Sequence, residues 1–319
     1  MIFFQAFKTT FGSIFELVLL GVVGFYVVKR AFITDEGLKA FSDLVIGLFL
    51  PLFMFSEIIK RFSFSLYPDW WIFPILSLLI TAVGYLCGLL FLSADRSFAP
   101  DEQEFLGIVS FQNSGYLPLP LVTSLLIPAV AQEMYIYIFL FLLGFNLTIF
   151  SFGVFLLSPR GKKRHFDAKN MFNAPVVATL LALACVFFKV NRILPKVMTE
   201  PIDLLGRCAI PLSILVVGGN LASIKSKVIT HLRPISLALV IKLVILPIIF
   251  LGFVVLVKPK PLVGLLILLQ AAMPPAALLS VISKNQNHGD RLISQAIFYG
   301  HLISILTIPL FLAFYGKLP

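Results

Sequence analysis

Apolar residues run through this chain in long blocks separated by short polar breaks. Ten blocks stand out, at about 11–28, 38–58, 70–93, 104–127, 134–157, 171–189, 202–222, 234–257, 262–283 and 292–316. A helix needs about 20 mostly apolar residues to span a bilayer. Backbone groups in lipid have no water to bond, so each block predicts a spanning helix. The alternation that membrane strands carry is absent. No polar stretch between blocks is long enough to fold by itself, which excludes an extramembrane enzyme or receptor domain.

The pattern also repeats. Asp43-Leu44 and Pro51-Leu52 reappear as Asp203-Leu204 and Pro211-Leu212, and Lys29 and Pro74 match Lys189 and Pro234, all at an offset of 160 residues. Five blocks fit inside one repeat. An odd number of crossings turns the second copy upside down, an arrangement common in secondary transporters. The sequence thus predicts an all-α polytopic membrane protein with ten transmembrane helices in two inverted five-helix repeats. Residues 1–157 form the first repeat, 158–170 a basic linker and 171–319 the second.

Composition sharpens this. Hydrophobic residues make up 59% of the chain and charged ones 13%, half the roughly 25% of a soluble protein, and the mean hydropathy is +1.02. The solvent is therefore the lipid bilayer. The net charge of +10 reads as a topology signal rather than as nucleic-acid binding, because the basic residues sit between blocks. With ten spans, the loops after odd-numbered blocks carry 14 Lys and Arg, against 9 on the opposite side and tails. Cytoplasmic loops are the basic ones. This puts the 158–170 linker, with Arg160, Lys162, Lys163 and Arg164, in the cytoplasm and both termini outside, in a plasma membrane. The first block lacks a basic run before it and a small-residue cleavage site after it, so it is expected to stay as a helix. Cys87, Cys185 and Cys208 fall within blocks, at spacings that suit neither a metal site nor a disulfide framework.

Two blocks are interrupted. The fourth contains Gln112-Asn113-Ser114-Gly115-Tyr116-Leu117-Pro118-Leu119-Pro120, and the ninth Gln270-Ala271-Ala272-Met273-Pro274-Pro275. Proline inside a helix removes a hydrogen bond and clashes with the preceding turn. Both blocks are the fourth of their half, and Gln112 aligns with Gln270. Two broken helices meeting near mid-membrane would offer the positive ends of two half-helices to an anion, with Asn113, Ser114 and Gln270 as polar side chains. The single prolines Pro51, Pro211 and Pro247 predict kinks.

Ionisable residues at membrane depth are functional candidates. Lys242 lies well inside block eight and either attracts an anion, replaces a coupling cation, or snorkels to the cytoplasmic surface. His301 is a proton-coupling candidate in block ten. Glu57 and Glu16 read as interfacial residues that could carry a proton. Asp203 and Arg207, four apart, predict a pair on one helix face.

At these residues the chain resembles the auxin efflux carrier family. The resemblance rests on Asn113 through Leu121 with Pro118 in place of a glycine, on Ala271-Ala272-Met273-Pro274, on Ser304 to Pro309-Leu310, on Asn146 and Gly153, and on Ala209-Ile210-Pro211-Leu212 with Gly218-Gly219. It implies crossed, broken fourth and ninth helices. It also implies a scaffold from spans 1, 2, 6 and 7, a moving transport domain from spans 3–5 and 8–10, an elevator movement and a homodimer. It raises Asn146 as a residue facing the crossing.

The expected function is secondary transport of a small organic anion, a carboxylate such as malate, malonate or an auxin-like acid, coupled to protons, with sodium as the alternative. The expected binding residues are Asn113, Ser114, Gly115, Pro118, Pro120, Asn146, Gln270, Pro274 and Pro275, with Lys242, His301 and Glu57 as coupling candidates. A sodium-coupled symporter of the bile acid type and a ligand-binding sensor on a transporter fold are the competing readings. No paired carboxylates, nucleophile motif or Gly-x-x-x-x-Gly-Lys-Ser/Thr loop argues for an enzyme or an ATP-driven pump, and no cofactor is expected.

Overall fold

In a computed structural model, residues 2–94, 101–158, 171–224, 232–285 and 291–316 are described, and the apolar blocks are helices. In chain order they are α1 (Ile2–Lys29), α2 (Asp35–Arg61), α3 (Ile72–Ala94), α4 (Glu102–Ser110), α5 (Pro118–Leu125), α6 (Pro128–Leu157), α7 (Ala174–Phe187), α8 (Lys196–Ala222), α9 (Leu232–Val257), α10 (Pro261–Ala272), α11 (Leu278–Asn285) and α12 (Arg291–Tyr315). Seven of them, α1, α2, α3, α6, α8, α9 and α12, are long and apolar enough to cross a bilayer. The sixth block yields only the 14-residue α7. The fourth and ninth yield the pairs α4/α5 and α10/α11, each split by a non-helical stretch. The basic cluster expected at 158–170 lies, but for Ser158, outside the described residues.

The outer surface is apolar, with Leu90 68% exposed, Leu204 71% and Leu256 84%. No soluble protein presents such a surface all round, so this is an integral membrane protein. Chain ends and loops sort into two groups. Phe3 and Phe314 meet with ring centroids 5.0 Å apart and planes tilted by 47°, so the two ends of the described chain share a side. Lys60 meets Asp203 at 2.9 Å, and the Tyr315 hydroxyl donates to Pro261 O. At the other end Ser223 Oγ donates to Asp35 at 2.8 Å, and Gln103 Nε2 donates to Leu156 O at 2.7 Å.

Two of the expected kinks have a specific form. Val45–Phe49 and Ile241–Ile245 are π-helical turns, each ending two residues before a proline, Pro51 and Pro247. Proline lacks the N–H and crowds the carbonyl four residues back, and one wider turn relieves the crowding. The wider turn in α9 contains Lys242. Pro211 instead follows an irregular step at Cys208 within α8.

Glycines show which helices are locked together. A Cβ at Gly218 would run into the Gly21 carbonyl and one at Gly24 into the Leu215 carbonyl, so α1 and α8 touch backbone to backbone. At Gly206 it would lie 2.7 Å from Phe53 Cα, joining α8 to α2. Elsewhere Gly84 abuts the Val109 carbonyl at 2.8 Å, joining α3 to α4, and Gly144 abuts Pro74, joining α6 to α3. Small residues allow this approach between membrane helices. These backbone contacts all fall within α1, α2 and α8 or within α3, α4 and α6.

Gly218→Ala is expected to destabilise the detergent-solubilised protein by about 1–3 kcal/mol, the usual cost of overpacking. Gly252→Ala, where nothing lies within 4 Å, is expected to be neutral or slightly stabilising. Thermal unfolding of both variants checks this, and equal melting temperatures would remove the close-crossing argument.

Candidate functional site at the paired helix breaks

The two interruptions lie against each other. Asn113 N–H donates to Pro274 O at 2.8 Å, and Ala276 N–H donates to Phe111 O at 3.1 Å, with Gln112 opposite Pro275 in an antiparallel bridge. The physical cause is plain. Prolines 118, 120, 274 and 275 remove helical donors, and the freed carbonyls and amides have no water at this depth. Each break supplies the partners that the other lacks. Gly300 on α12 lets this pair sit close, since a Cβ there would lie 2.6 Å from Pro275 Cδ.

Side chains from three further directions converge here. Lys242, on α9, is fully buried, and its Nζ donates to Val109 O at 3.1 Å and to Gln112 Oε1 at 3.4 Å. It does not snorkel. Its ammonium group faces the carbonyl end of α4, the negative end of that half-helix. No carboxylate pairs with it in a salt bridge among the described residues. From α12, His301 Nδ1 lies 2.8 Å from Ile297 O and must donate to it, since a carbonyl only accepts. Nε2 is then the acceptor for the Asn113 amide N–H, at 3.1 Å. From α10, Gln270 Nε2 donates to Ser114 O at 3.4 Å. Gln112 Nε2 and Gln270 Oε1 have no hydrogen-bond partner among the described residues, although both residues are fully buried.

The expected site residues divide accordingly. Asn113, Ser114, Gln270, Pro274 and Pro275 are all buried and share the crossing, together with Lys242 and His301. Pro118 and Pro120 open α5 and are buried. Gly115 adopts no left-handed conformation, and a Cβ there would meet only the Leu142 side chain at 3.8 Å, so the prolines make the break. Asn146 is half-buried on α6 and makes no hydrogen bond to the crossing among the described residues. Glu57, expected at the interface, is 3% exposed at the far end of α2, where Arg61 Nε donates to it at 2.8 Å. Asp203 accepts from Arg207 as expected, and also from Lys60 and from Ser56. Gln112 was the site residue not singled out, although its alignment with Gln270 was visible.

Pro118 and Pro120 have no N–H, and Leu121 N–H is taken by Leu117 O at 3.2 Å. In α11 the first amides turn back on Ala276 and Ala277. Side-chain donors at the crossing include Lys242 Nζ and the amides of Asn113 and Gln270. Beside them lies a cavity of about 320 Å³ between α1 and α8 on one side and α5 and α12 on the other. Leu17, Phe25, Leu121, Val217 and Phe298 make its walls apolar, and His301 and Ser304 contribute its polar edge. His301 thus joins the cavity to Asn113.

Comparison with known proteins decides the family. The membrane transport protein family matches residues 9–312, nearly the whole chain. The chain belongs to that family, the auxin efflux carriers. Among curated relatives, the chain is 26% identical over 165 residues to Protein PIN-LIKES 2 of Arabidopsis thaliana, covering 47% of this chain and 36% of that protein. It is 21% identical to Protein PIN-LIKES 1 of the same plant over an alignment of 386 positions, covering 97% and 79%. An uncharacterized transporter of Schizosaccharomyces pombe is 27% identical over 111 residues, 34% of this chain and 24% of that protein. The matched stretches thus span between a quarter and about a third of two of these relatives, and most of the third. The family is one of membrane transporters, not of enzymes.

His301→Ala is expected to leave the buried Asn113 amide without a partner, at about 1–3 kcal/mol. Adding Asn113→Ala should recover part of that loss. A double-mutant cycle of thermal stability in detergent reads the coupling, and additive losses would show that the two side chains do not depend on each other.

Proposed function

We propose that the protein is a secondary transporter that carries a small organic carboxylate through the crossing of the fourth and ninth spans. The observation that carries this reading is Lys242, a fully buried amine at the crossing with no carboxylate salt-bridged to it among the described residues. A buried cation without a counter-ion is costly. An anionic substrate supplies the missing charge. Asn113, Ser114, Gln270 and the free amide of Gln112 orient it.

The adjoining cavity narrows the substrate. Its apolar walls suit the body of an auxin-like acid better than malate or malonate, whose second carboxylate would lose hydration there without a partner.

Proton coupling fits the His301–Asn113 contact. A proton on Nε2 would face the Asn113 NH2, so the amide must turn to offer its oxygen, and the binding site changes with the charge. Sodium coupling, as in a bile acid-type symporter, is the competing reading. Lys242 favours the proton form, because its amine already stands at the carbonyl end of α4, where a free cation would sit.

A ten-span inverted topology agrees with the shared side of the chain's ends, with α4/α5 and α10/α11 as interrupted spans and α7 as a short one. The scaffold is then α1, α2, α7 and α8, and the transport domain α3–α6 and α9–α12. The elevator-like movement and the homodimer rest on family resemblance, and so does the binding role of Asn146. Both termini lie outside the plasma membrane, with the 158–170 segment cytoplasmic.

Purified protein in liposomes should take up an arylacetate down an imposed proton gradient, at the same rate with and without sodium. Asn113→Ala should lower uptake at least tenfold. Lys242→Met, which removes the charge at similar volume, should abolish anion binding in a thermal-shift titration. His301→Gln should still exchange substrate but lose proton-driven accumulation. Normal transport by Asn113→Ala would sink the site assignment, and sodium-dependent uptake would select the competing mechanism.

A further inference from the structure

The helices on either side of the apolar cavity differ in how they are held. Within α1, α2, α7 and α8 the links are glycine crossings and the Lys60–Asp203 ion pair. Within the other set they are glycine crossings and the hydrogen bonds of the breaks. Across the divide, the hydrogen bonds seen among the described residues come from one segment, the unwound turn and short helix from Tyr116 to Ser124. Tyr116 Oη shares a hydrogen bond with Ser42 Oγ of α2 at 3.2 Å, and Tyr116 O accepts from Ser213 Oγ of α8 at 3.2 Å. At the far end of α5, Ser124 Oγ donates to Glu16 at 2.7 Å and Ser124 O accepts from Ser13 Oγ at 3.2 Å, both on α1.

The placement of Tyr116 matters because of its neighbours in sequence. Asn113 is bonded to Pro274 and His301, and Ser114 O to Gln270, all in the second set. Two residues later the chain is bonded to the first set. One unwound stretch of four residues is therefore tied to both bodies. The residue is half-buried, and Asp43, one residue beyond Ser42, lies near its phenol.

We propose that Tyr116 is a positioning residue that tethers the interrupted fourth span to the static helices, so that release of its hydroxyl from Ser42 accompanies movement of the two bodies. This rests on the reading that the two sets move against each other. A ligand that engages Asn113 or Ser114 pulls on the same stretch that the tether holds. The tether thereby links occupancy of the crossing to the state of the interface, without Tyr116 touching the ligand.

The test needs no substrate. In a background with Cys87, Cys185 and Cys208 replaced by alanine, Ser13→Cys with Ser124→Cys reports closure of the interface through a short bifunctional thiol reagent. Tyr116→Phe removes the hydroxyl and keeps the ring and the backbone carbonyl. It is expected to lower the rate of cross-linking about fivefold, the equilibrium change that one hydrogen bond of ordinary net strength supports. Ser42→Ala should give the same drop, and the double variant no further one, because both remove a single bond. Unchanged cross-linking in both single variants overturns the tether, as does a fall in melting temperature with no change in cross-linking. A changed cross-linking rate in a protein that moves no carboxylate in liposomes would sink the transport reading and leave the tether standing.

Discussion

Backbone polar groups in lipid must find partners inside the protein, and the crossing exists because of that constraint. Four prolines deprive two helices of their ladders at one depth. Neither break is tolerable alone. Paired, they exchange the Asn113–Pro274 and Phe111–Ala276 hydrogen bonds and form a short piece of extended structure inside a helical protein. Two polar side chains help to complete this repair. Lys242 covers the Val109 carbonyl at the end of α4 and Gln270 covers the Ser114 carbonyl, while His301 accepts from the Asn113 side-chain amide. A site built from repair groups has polarity that is fixed in advance, which is what recognition of a charged ligand in a low-dielectric setting requires.

The same constraint explains how the helices are divided. Lipid gives helices no hydrophobic reason to associate, so close packing and buried hydrogen bonds must hold them together. Where glycines allow backbones to touch, two helices share a long run of dispersion contacts and behave as one body. Between α1 and α8 on one side and α5 and α12 on the other there is instead an apolar cavity, rimmed by hydrogen bonds of ordinary strength. An interface of that kind can open at modest cost, whereas the Gly218–Gly21 crossing cannot slide without a clash. Under the proposed transport reading, movement would be confined to the surface on which the proposed binding residues lie.

Much of this was legible in the sequence. Block lengths gave the helices, and the proline pairs gave both breaks, because each follows from local chemistry. The pairing of the breaks was visible through the repeat, which puts Gln112 and Gln270 at matching places. What was not legible depended on which way side chains point across the bundle. Lys242 had a free choice between surface and interior until the π-helical turn before Pro247 fixed its direction. Glu57 looked interfacial from its place near the end of block two, yet Arg61 folds back on it and it is buried. Tyr116, Ser42 and Ser213 carried no signal at all, since tyrosine and serine in apolar blocks are common and only the fold brings them together.

The inequality of the two halves acquires a physical meaning at the crossing. In sequence, Asn113-Ser114 stands opposite Ala271-Ala272. In the fold those alanines are fully buried inside α10 and leave the helix regular up to Met273, whereas Asn113 and Ser114 already lie in the unwound stretch. The second half therefore contributes backbone acceptors and one reaching amide, Gln270, while the first contributes side chains free of a helical ladder. Side chains on an unwound backbone can reorient when a charge or a ligand arrives. Those on a regular helix cannot do so without breaking it. The two halves are joined through the His301–Asn113 and Gln270–Ser114 hydrogen bonds that cross between them.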